Sequence, residues 1–309
     1  MKRRRAARAE RDAETITLFA IPKPFEGDVA VIQRNAVESW ARLGREVEVV
    51  LLGDDKGVAE AASAVGARHL GPVETTEYGT PLLSSAFEVA RRGSTRRLLA
   101  YVNADIILLR DFVDAVRRID FPTFLAAGRR WNVSLGRPFD FGPCYEERLR
   151  ALVSTGELAP PDAIDYFVFD REGPLTEVPP FAVGRPGWDN WMIYRARRLR
   201  IPVVDATRAI TAIHPRHGYE HVPEGTGALW YGPEAEANFE LIKGLERFQT
   251  RHATHVLTRH FLLPGLAPRR VVSRARSRHA ADGAVEKAAR LTESLAARLP
   301  GRRTASRKR

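Results

Sequence analysis

Leu98-Leu99-Ala100-Tyr101-Val102-Asn103-Ala104-Asp105 is an apolar run that stops at an amide and a carboxylate. The run carries one phenol and no charge, so it reads as a strand buried on both faces, as strands are inside a parallel sheet covered by helices. An acid at the carboxyl end of such a strand marks a candidate site, because open α/β sheets bind their ligands along that edge.

The residues upstream repeat the same alternation of elements. Ile16 to Ile21 is an apolar run closed by Pro22 and Pro24, and Val47 to Leu52 is a second one ending at Gly53-Asp54-Asp55. Between them Asp28 is placed to cap a helix whose Val29, Ile32, Ala36, Val37, Trp40 and Leu43 share one face, with Gly44 as its stop. A short alanine-rich helix over Val58 to Val65, a weak strand at Arg68-His69-Leu70, and a helix opening at Thr80-Pro81 lead back to Leu98.

Downstream, Asp111 is expected to cap a helix through Val113, Val116 and Ile119, and Phe124 to Ala127 to form another strand. From Gly128 to Val183 the regularity lapses, apart from a β-like island at Tyr166 to Phe169. Gly187-Trp188-Asp189-Asn190-Trp191 then opens a helix reaching about Leu199, and Val203-Val204-Asp205 is a strand that leads through Ile213 to His214. The expectation is an α/β, Rossmann-like, mostly parallel sheet with helices on both faces.

Charge separates a body from its ends. The chain has 309 residues, 44% of them hydrophobic, enough for one large core, and a net charge of +11. From Arg269 to Arg309 there are 13 Lys/Arg and 3 Asp/Glu, and from Met1 to Glu14 there are 6 and 3. Thr15 to Pro268 keeps 30 basic and 32 acidic residues, a net charge of −2, so the body is not a polyanion binder by composition. Residues 1–14 are expected as a disordered basic leader, 15–246 as the folded domain, and 247–309 as a helical, basic, partly disordered extension. The extension holds one amphipathic helix candidate, Ala284 to Leu299.

Cys144 is the only cysteine, which excludes an intrachain disulfide and fits a reducing cytoplasm. No secretory signal and no spanning segment are read in the sequence, so the chain is expected in the cytoplasm, with peripheral contact at the inner face of the membrane as the role of the basic tail. Asn132-Val133-Ser134 matches a glycosylation acceptor by chance under that reading.

Ala100 to Leu108 looks like the DxD strand of GT-A-fold glycosyltransferases, with Asn103 in the first acidic position. The wider pattern adds Gly-Trp-Asp-Asn-Trp, Asp205-Ala206-Thr207, and Ala212-Ile213-His214 running on to His221. It resembles a bacterial and plant group of family-2-like, nucleotide-diphospho-sugar transferases over roughly Thr15 to Leu245.

That resemblance implies a single GT-A domain that moves a sugar from a nucleoside-diphosphate sugar to a carbohydrate or lipid-linked acceptor. It also implies Mn²⁺ or Mg²⁺ on Asp105 with His214, nucleotide contacts from Asp54, Asp55 and Asn103, and Asp189 as the acid beside the acceptor. Trp188 and Trp191 are read either as sugar-stacking rings or as core, and the stereochemical outcome stays open.

The competing enzyme reading, a nucleotidyltransferase, calls for a glycine-rich phosphate loop after the first strand, where this chain has Ile21-Pro22-Lys23-Pro24-Phe25-Glu26-Gly27. No Gly-x-x-x-x-Gly-Lys-Ser/Thr run and no His-Glu-x-x-His are present. The non-enzymatic reading is a nucleic-acid or anionic-surface binder acting through the basic tail. A specific nucleic-acid partner is not expected.

Overall fold

Burial sorts the elements before topology does: every residue of β1 (Ile16–Ala20) and of Leu98–Val102 is buried in the computed structural model of the chain. The structure describes residues 16–216, 231–242 and 248–265. After β1 come α1 (Gly27–Ala41), β2 (Val47–Leu52), α2 (Val58–Ala64), β3 (Arg68–Leu70), α3 (Leu83–Gly93) and β4 (Leu98–Val102). The chain continues through β5 (Ile107–Leu108), α4 (Asp111–Val116), β6 (Leu125–Arg129), β7 (Trp131–Val133), α5 (Tyr145–Ser154), β8 (Glu157–Leu158) and β9 (Ile164–Asp170). The last described elements are α6 (Trp188–Arg198), β10 (Val203–Asp205), β11 (Ala212–Pro215), α7 (Pro233–Leu241), a 3₁₀ turn at Thr250–His252, β12 (His255–Leu257) and β13 (Leu262–Pro264).

Among the described residues the main sheet has nine strands in the order β13-β12-β10-β6-β9-β4-β1-β2-β3. The pairings β1 with β2 and β4, β2 with β3, and β10 with β6 and β12 are parallel. This is the α/β, mostly parallel architecture that the resemblance to GT-A glycosyltransferases implied. It departs from a fully parallel sheet at β9, which runs antiparallel between β4 and β6, and at the edge strand β13. Because β9 is reversed, its first residues, not its last, lie at the carboxyl edge of β4 and β6.

Two apolar cores form, one on each face. The first packs Trp40, Leu43, Phe112, Val113 and Leu149 against the sheet, and the second packs Phe87, Leu83, Trp188, Met192 and Phe181. Rings close the second core, with Phe19 edge-on to Phe87 at 5.3 Å and Phe87 stacked on Phe169 at 5.3 Å. A helix layer therefore covers both faces, and the ligand-accessible part of the sheet is its edge.

Among the described residues a second sheet of four strands, β5-β11-β7-β8, stands beside that edge. Its β5 follows directly on the Asn103-Ala104-Asp105 turn, and α1 secures it there. Trp40 Nε1 donates to the Ile106 carbonyl at 2.8 Å, and the Leu108 amide donates to Ser39 Oγ at 3.1 Å. Trp40 is 1% exposed, so Trp40→Ala should cost about 3–5 kcal/mol in urea unfolding. A loss under about 1 kcal/mol would show that α1 does not carry this edge.

Several local expectations are corrected. Asp28 lies in the first turn of α1 and Glu26 takes the cap position, with no side-chain cap bond. Asp111 is the first residue of α4, and its carboxylate turns away from its own helix to accept from the Thr211 amide at 3.0 Å and from Thr211 Oγ1 at 2.6 Å. That helix ends at Val116, short of Ile119, and α3 begins at Leu83, past Thr80-Pro81. The stretch from Gly128 to Val183 holds β7, α5, β8 and β9, where one island was expected. The sheet also runs past residue 246, because β12 pairs with β10 from within the expected extension. Residues 1–15, the Ala284 to Leu299 helix candidate, His217 and His221 lie outside the described residues.

Candidate active site at the carboxyl edge of the sheet

Two pairings assemble the edge. β9 runs antiparallel to β4 with Tyr166 opposite Val102, which sets Asp165 level with Asn103. The Asn103 amide donates to the Asp165 carbonyl at 2.9 Å, and Asn103 Nδ2 donates to Asp165 Oδ1 at 2.7 Å. Arg130, just past β6, straddles the same carboxylate, its Nη1 at 2.7 Å from Oδ1 and 2.6 Å from Oδ2. Asn103 therefore serves as a donor to a buried acid. An aspartate at 103 would set two carboxylates against each other there, which accounts physically for an amide at this position.

The Asp165 side chain is 7% exposed and that of Arg130 22%, so the pair is largely removed from water. Truncating Arg130 would strand a buried carboxylate, and Arg130→Ala is expected to cost about 3–5 kcal/mol by urea unfolding at pH 7. The double variant with Asp165→Ala should recover part of that loss; no recovery would mean the pair is not the source of the effect.

The second pairing belongs to the small sheet. β11 runs antiparallel to β5 with Ile213 opposite Ile107, and parallel to β7 with His214 level with Asn132. This register delivers His214 to the turn, with Nε2 at 3.4 Å from Asp105 Oδ2 and the two side chains 13% and 29% exposed. Two cis ligands of a six-coordinate ion at about 2.1 Å lie roughly 3 Å apart, so the pair has the spacing and the O/N donor set of a divalent cation site. Among the described residues no third His, Cys, Asp or Glu joins them, which fits an ion completed by water and phosphate oxygens rather than an all-protein cage.

Tyr101 lies beneath this cluster, fully buried. Burial first, then the charges of Asp105 and Asp165, raise its phenol far above the usual range and keep it protonated.

Asp189 occupies the first turn of α6, after Gly187. Gly187 has φ +104°, and a Cβ there would meet Ile242 Cδ1 at 2.7 Å, so the turn that presents Asp189 is built for glycine. Asp189 Oδ1 accepts from the Asn190 amide at 2.8 Å. Asp189 keeps part of its surface in contact with solvent, although its carboxyl lies deep in the packing of the protein. Burial dominates: it carries the carboxyl up to about 7 against the local amide donors, and the charge of Asp165 adds to the rise. A helix N-terminus favours the ionised form, so the upward shift is the opposite of what a capping role produces.

Asp54 and Asp55 stand at the end of β2, on the same edge. Phe19 is level with Tyr101 on one side and Val50 on the other, so β2 lies two strands from β4, about 10 Å away. His69 Nε2 sits 3.8 Å from Asp54 Oδ1 and 2.7 Å from the Gly53 carbonyl, and Asp55 is raised by burial and then by its neighbour Asp54.

Trp188 and Trp191 resolve to core. They are 6% and 8% exposed, with Trp188 edge-on to Tyr101 at 4.9 Å and Trp191 packed on Phe181 at 5.7 Å. Sequence reasoning missed Asp165 and the role of Arg130. The available signal was an acid opening an apolar strand, Ile164-Asp165-Tyr166, the mirror image of Val102-Asn103.

No protein-family model matches the chain, and no curated protein matches it in sequence. Among solved structures it is similar to glucosyl-3-phosphoglycerate synthase from Mycobacterium tuberculosis in complex with phosphoglyceric acid. The two share 18% identity at a TM-score of 0.44, over 77% of this chain and 82% of that one. The same enzyme in complex with Mg²⁺ and uridine diphosphate aligns at a TM-score of 0.43 and 18% identity, over 77% of this chain and 81% of that one. Among the described residues no helix is long and apolar enough to cross a membrane.

Proposed function

We propose that the chain is a glycosyltransferase that moves a sugar from a nucleoside-diphosphate sugar to a hydroxyl acceptor. The observation that carries this reading is the meeting of Asp105 and His214 at 3.4 Å, at the carboxyl end of a fully buried strand. In this reading Asp105 and His214 hold Mn²⁺ or Mg²⁺, which when bound neutralises charge developing on the departing diphosphate.

The other roles belong to the chain's own groups. Asn103, fixed by Asp165, directs its remaining polar capacity at the nucleotide, and Asp54 and Asp55 face the base or ribose from the end of β2. Asp189, poised near neutrality, accepts the proton of the attacking hydroxyl. Residues 15–246 form most of the transferase domain, with β12 and β13 finishing its sheet. The basic stretch from Arg269 holds the enzyme at an anionic membrane where a lipid-linked acceptor would lie.

Thermal stabilisation against a panel of nucleoside diphosphates and their sugars, with and without Mn²⁺, tests the donor site. One base should give a metal-dependent shift; no shift with any of them in folded protein would overturn the reading. Vesicle co-sedimentation of the full chain and of a chain truncated before Arg269 tests the tail, and equal binding by both would remove its role.

A further inference from the structure

Behind the small sheet lies a cleft of about 1210 Å³ that the proposed donor site does not use. β7 separates the two. Neighbouring residues of a strand face opposite ways, so His214 and its partner Asn132 share the donor face, while Trp131 lines the cleft. The remaining walls come from α4, α5, the end of β6, the 205–211 connection and the 250–259 stretch.

Among the described residues the lining holds seven arginines against four carboxylates, in a body whose net charge is −2. The acids have local partners. Asp111 takes two hydrogen bonds from Thr211, Glu146 accepts from the Arg110 amide at 2.7 Å, and Asp205 accepts from Thr207 Oγ1 at 2.5 Å. Arg150 reaches Thr211 Oγ1 at 3.2 Å from one terminal nitrogen, and Asp111 at 3.0 Å and Glu146 at 3.4 Å from the other, which leaves its Nε–H. The Arg259 guanidinium makes no hydrogen bond or ion pair among the described residues; only its carbonyl is engaged, by Arg118. A cavity of this size with guanidinium forks on several walls matches the planar, multidentate recognition of phosphate oxygens.

We infer that this cleft is a second ligand site, separate from the donor site, which binds the phosphate group of a small phosphorylated compound between Arg150 and Arg259. The site bears on catalysis through one connection: Thr211, bonded to Asp111 and Arg150, immediately precedes β11, which carries His214.

The test is calorimetric titration of inorganic phosphate and of pyrophosphate into the full chain in EDTA, so that no metal-dependent donor binding contributes. Binding to the wild type is expected, weakened about tenfold or more in Arg259→Gln and in Arg150→Gln. Arg259 is exposed and outside both cores, so its variant remains informative if Arg150→Gln folds poorly. Asp105→Asn should bind phosphate in EDTA as the wild type does, which separates this site from the donor reading. Absence of binding to the wild type, or equal binding by wild type and Arg259→Gln, overturns the inference. Phosphatidate vesicles provide the second arm: sedimentation that falls in Arg259→Gln would name a lipid headgroup as the phosphate source, and unchanged sedimentation a soluble compound.

Discussion

Asp105→Asn is expected to lower kcat/KM for sugar transfer about 10³-fold, on the order of 4 kcal/mol of transition-state stabilisation. The substitution is nearly isosteric, and the side chain is 29% exposed at a turn rather than in a core, so the fold should survive it. What it removes is one full negative charge from the position where a cation would meet the diphosphate. Two readouts should move together: turnover, and the Mn²⁺-dependent thermal shift given by the nucleotide. Adding EDTA should bring the wild type down to the level of the variant and leave the variant unchanged. A variant that keeps its metal-dependent shift but loses turnover would relocate the ion. A variant that keeps both would remove Asp105 from the site altogether.

The position of Asp105 was legible in the sequence for a physical reason. A strand buried on both faces leaves no ambiguity of period, and the residue after it must be at the edge. The same argument found β1, β2, β6 and β10. It failed where pairing depends on distant residues. Asp165 meets Asn103 only because β9 enters the sheet reversed, and nothing in Ile164–Asp170 taken alone gives a direction.

Other features were hidden by weak local signal. α5 fully buries Leu149 alone, and the Tyr145, Leu152 and Val153 that share its face are only half-buried, so the apolar stripe of its ten residues is short; Cys144 before it has φ 58°, which the sequence does not announce. Gly128 looked like the start of a loop. Its lack of a Cβ instead admits Tyr166 Oη and the Thr207 amide, the latter 2.9 Å from where a Cβ would be. The tryptophans beside Asp189 admitted two readings in sequence, and packing against Tyr101 and Phe181 chose between them. His214 was indicated by resemblance; its approach to Asp105 rests on a pairing of β5 and β11 too short to show as a pattern.

Asp189→Asn is expected to move stability and activity in opposite directions. The carboxyl titrates near 3.8 when unfolded and near 7 when folded, so between those values the native state holds a proton that the unfolded state has released. Stability contributed by this group is full below pH 3.8, declines as pH rises, and is lost above pH 7. The interval corresponds to roughly 4 kcal/mol by linkage as an upper figure, since partial solvent contact reduces it. Asparagine carries no titrating proton, so relative to the wild type the variant should gain stability on going from pH 4.5 to pH 8, by about 1 kcal/mol or more in urea unfolding.

Activity should show the reverse. The wild-type rate is expected to rise with pH through about 7 as the base ionises, whereas the variant should lose about 10²–10⁴-fold and with it that limb of the profile. An aspartate that only serves the helix end behaves otherwise: its carboxyl is stabilised as an anion, and because asparagine caps a helix as well, the replacement would lower stability at pH 8 only by the lost charge–dipole attraction, about 0.3–1 kcal/mol, and leave the pH–rate profile intact. Measuring the two curves on the same pair of proteins therefore separates a base from a cap. A variant that is destabilised at pH 8 with an unshifted profile would return Asp189 to the helix end.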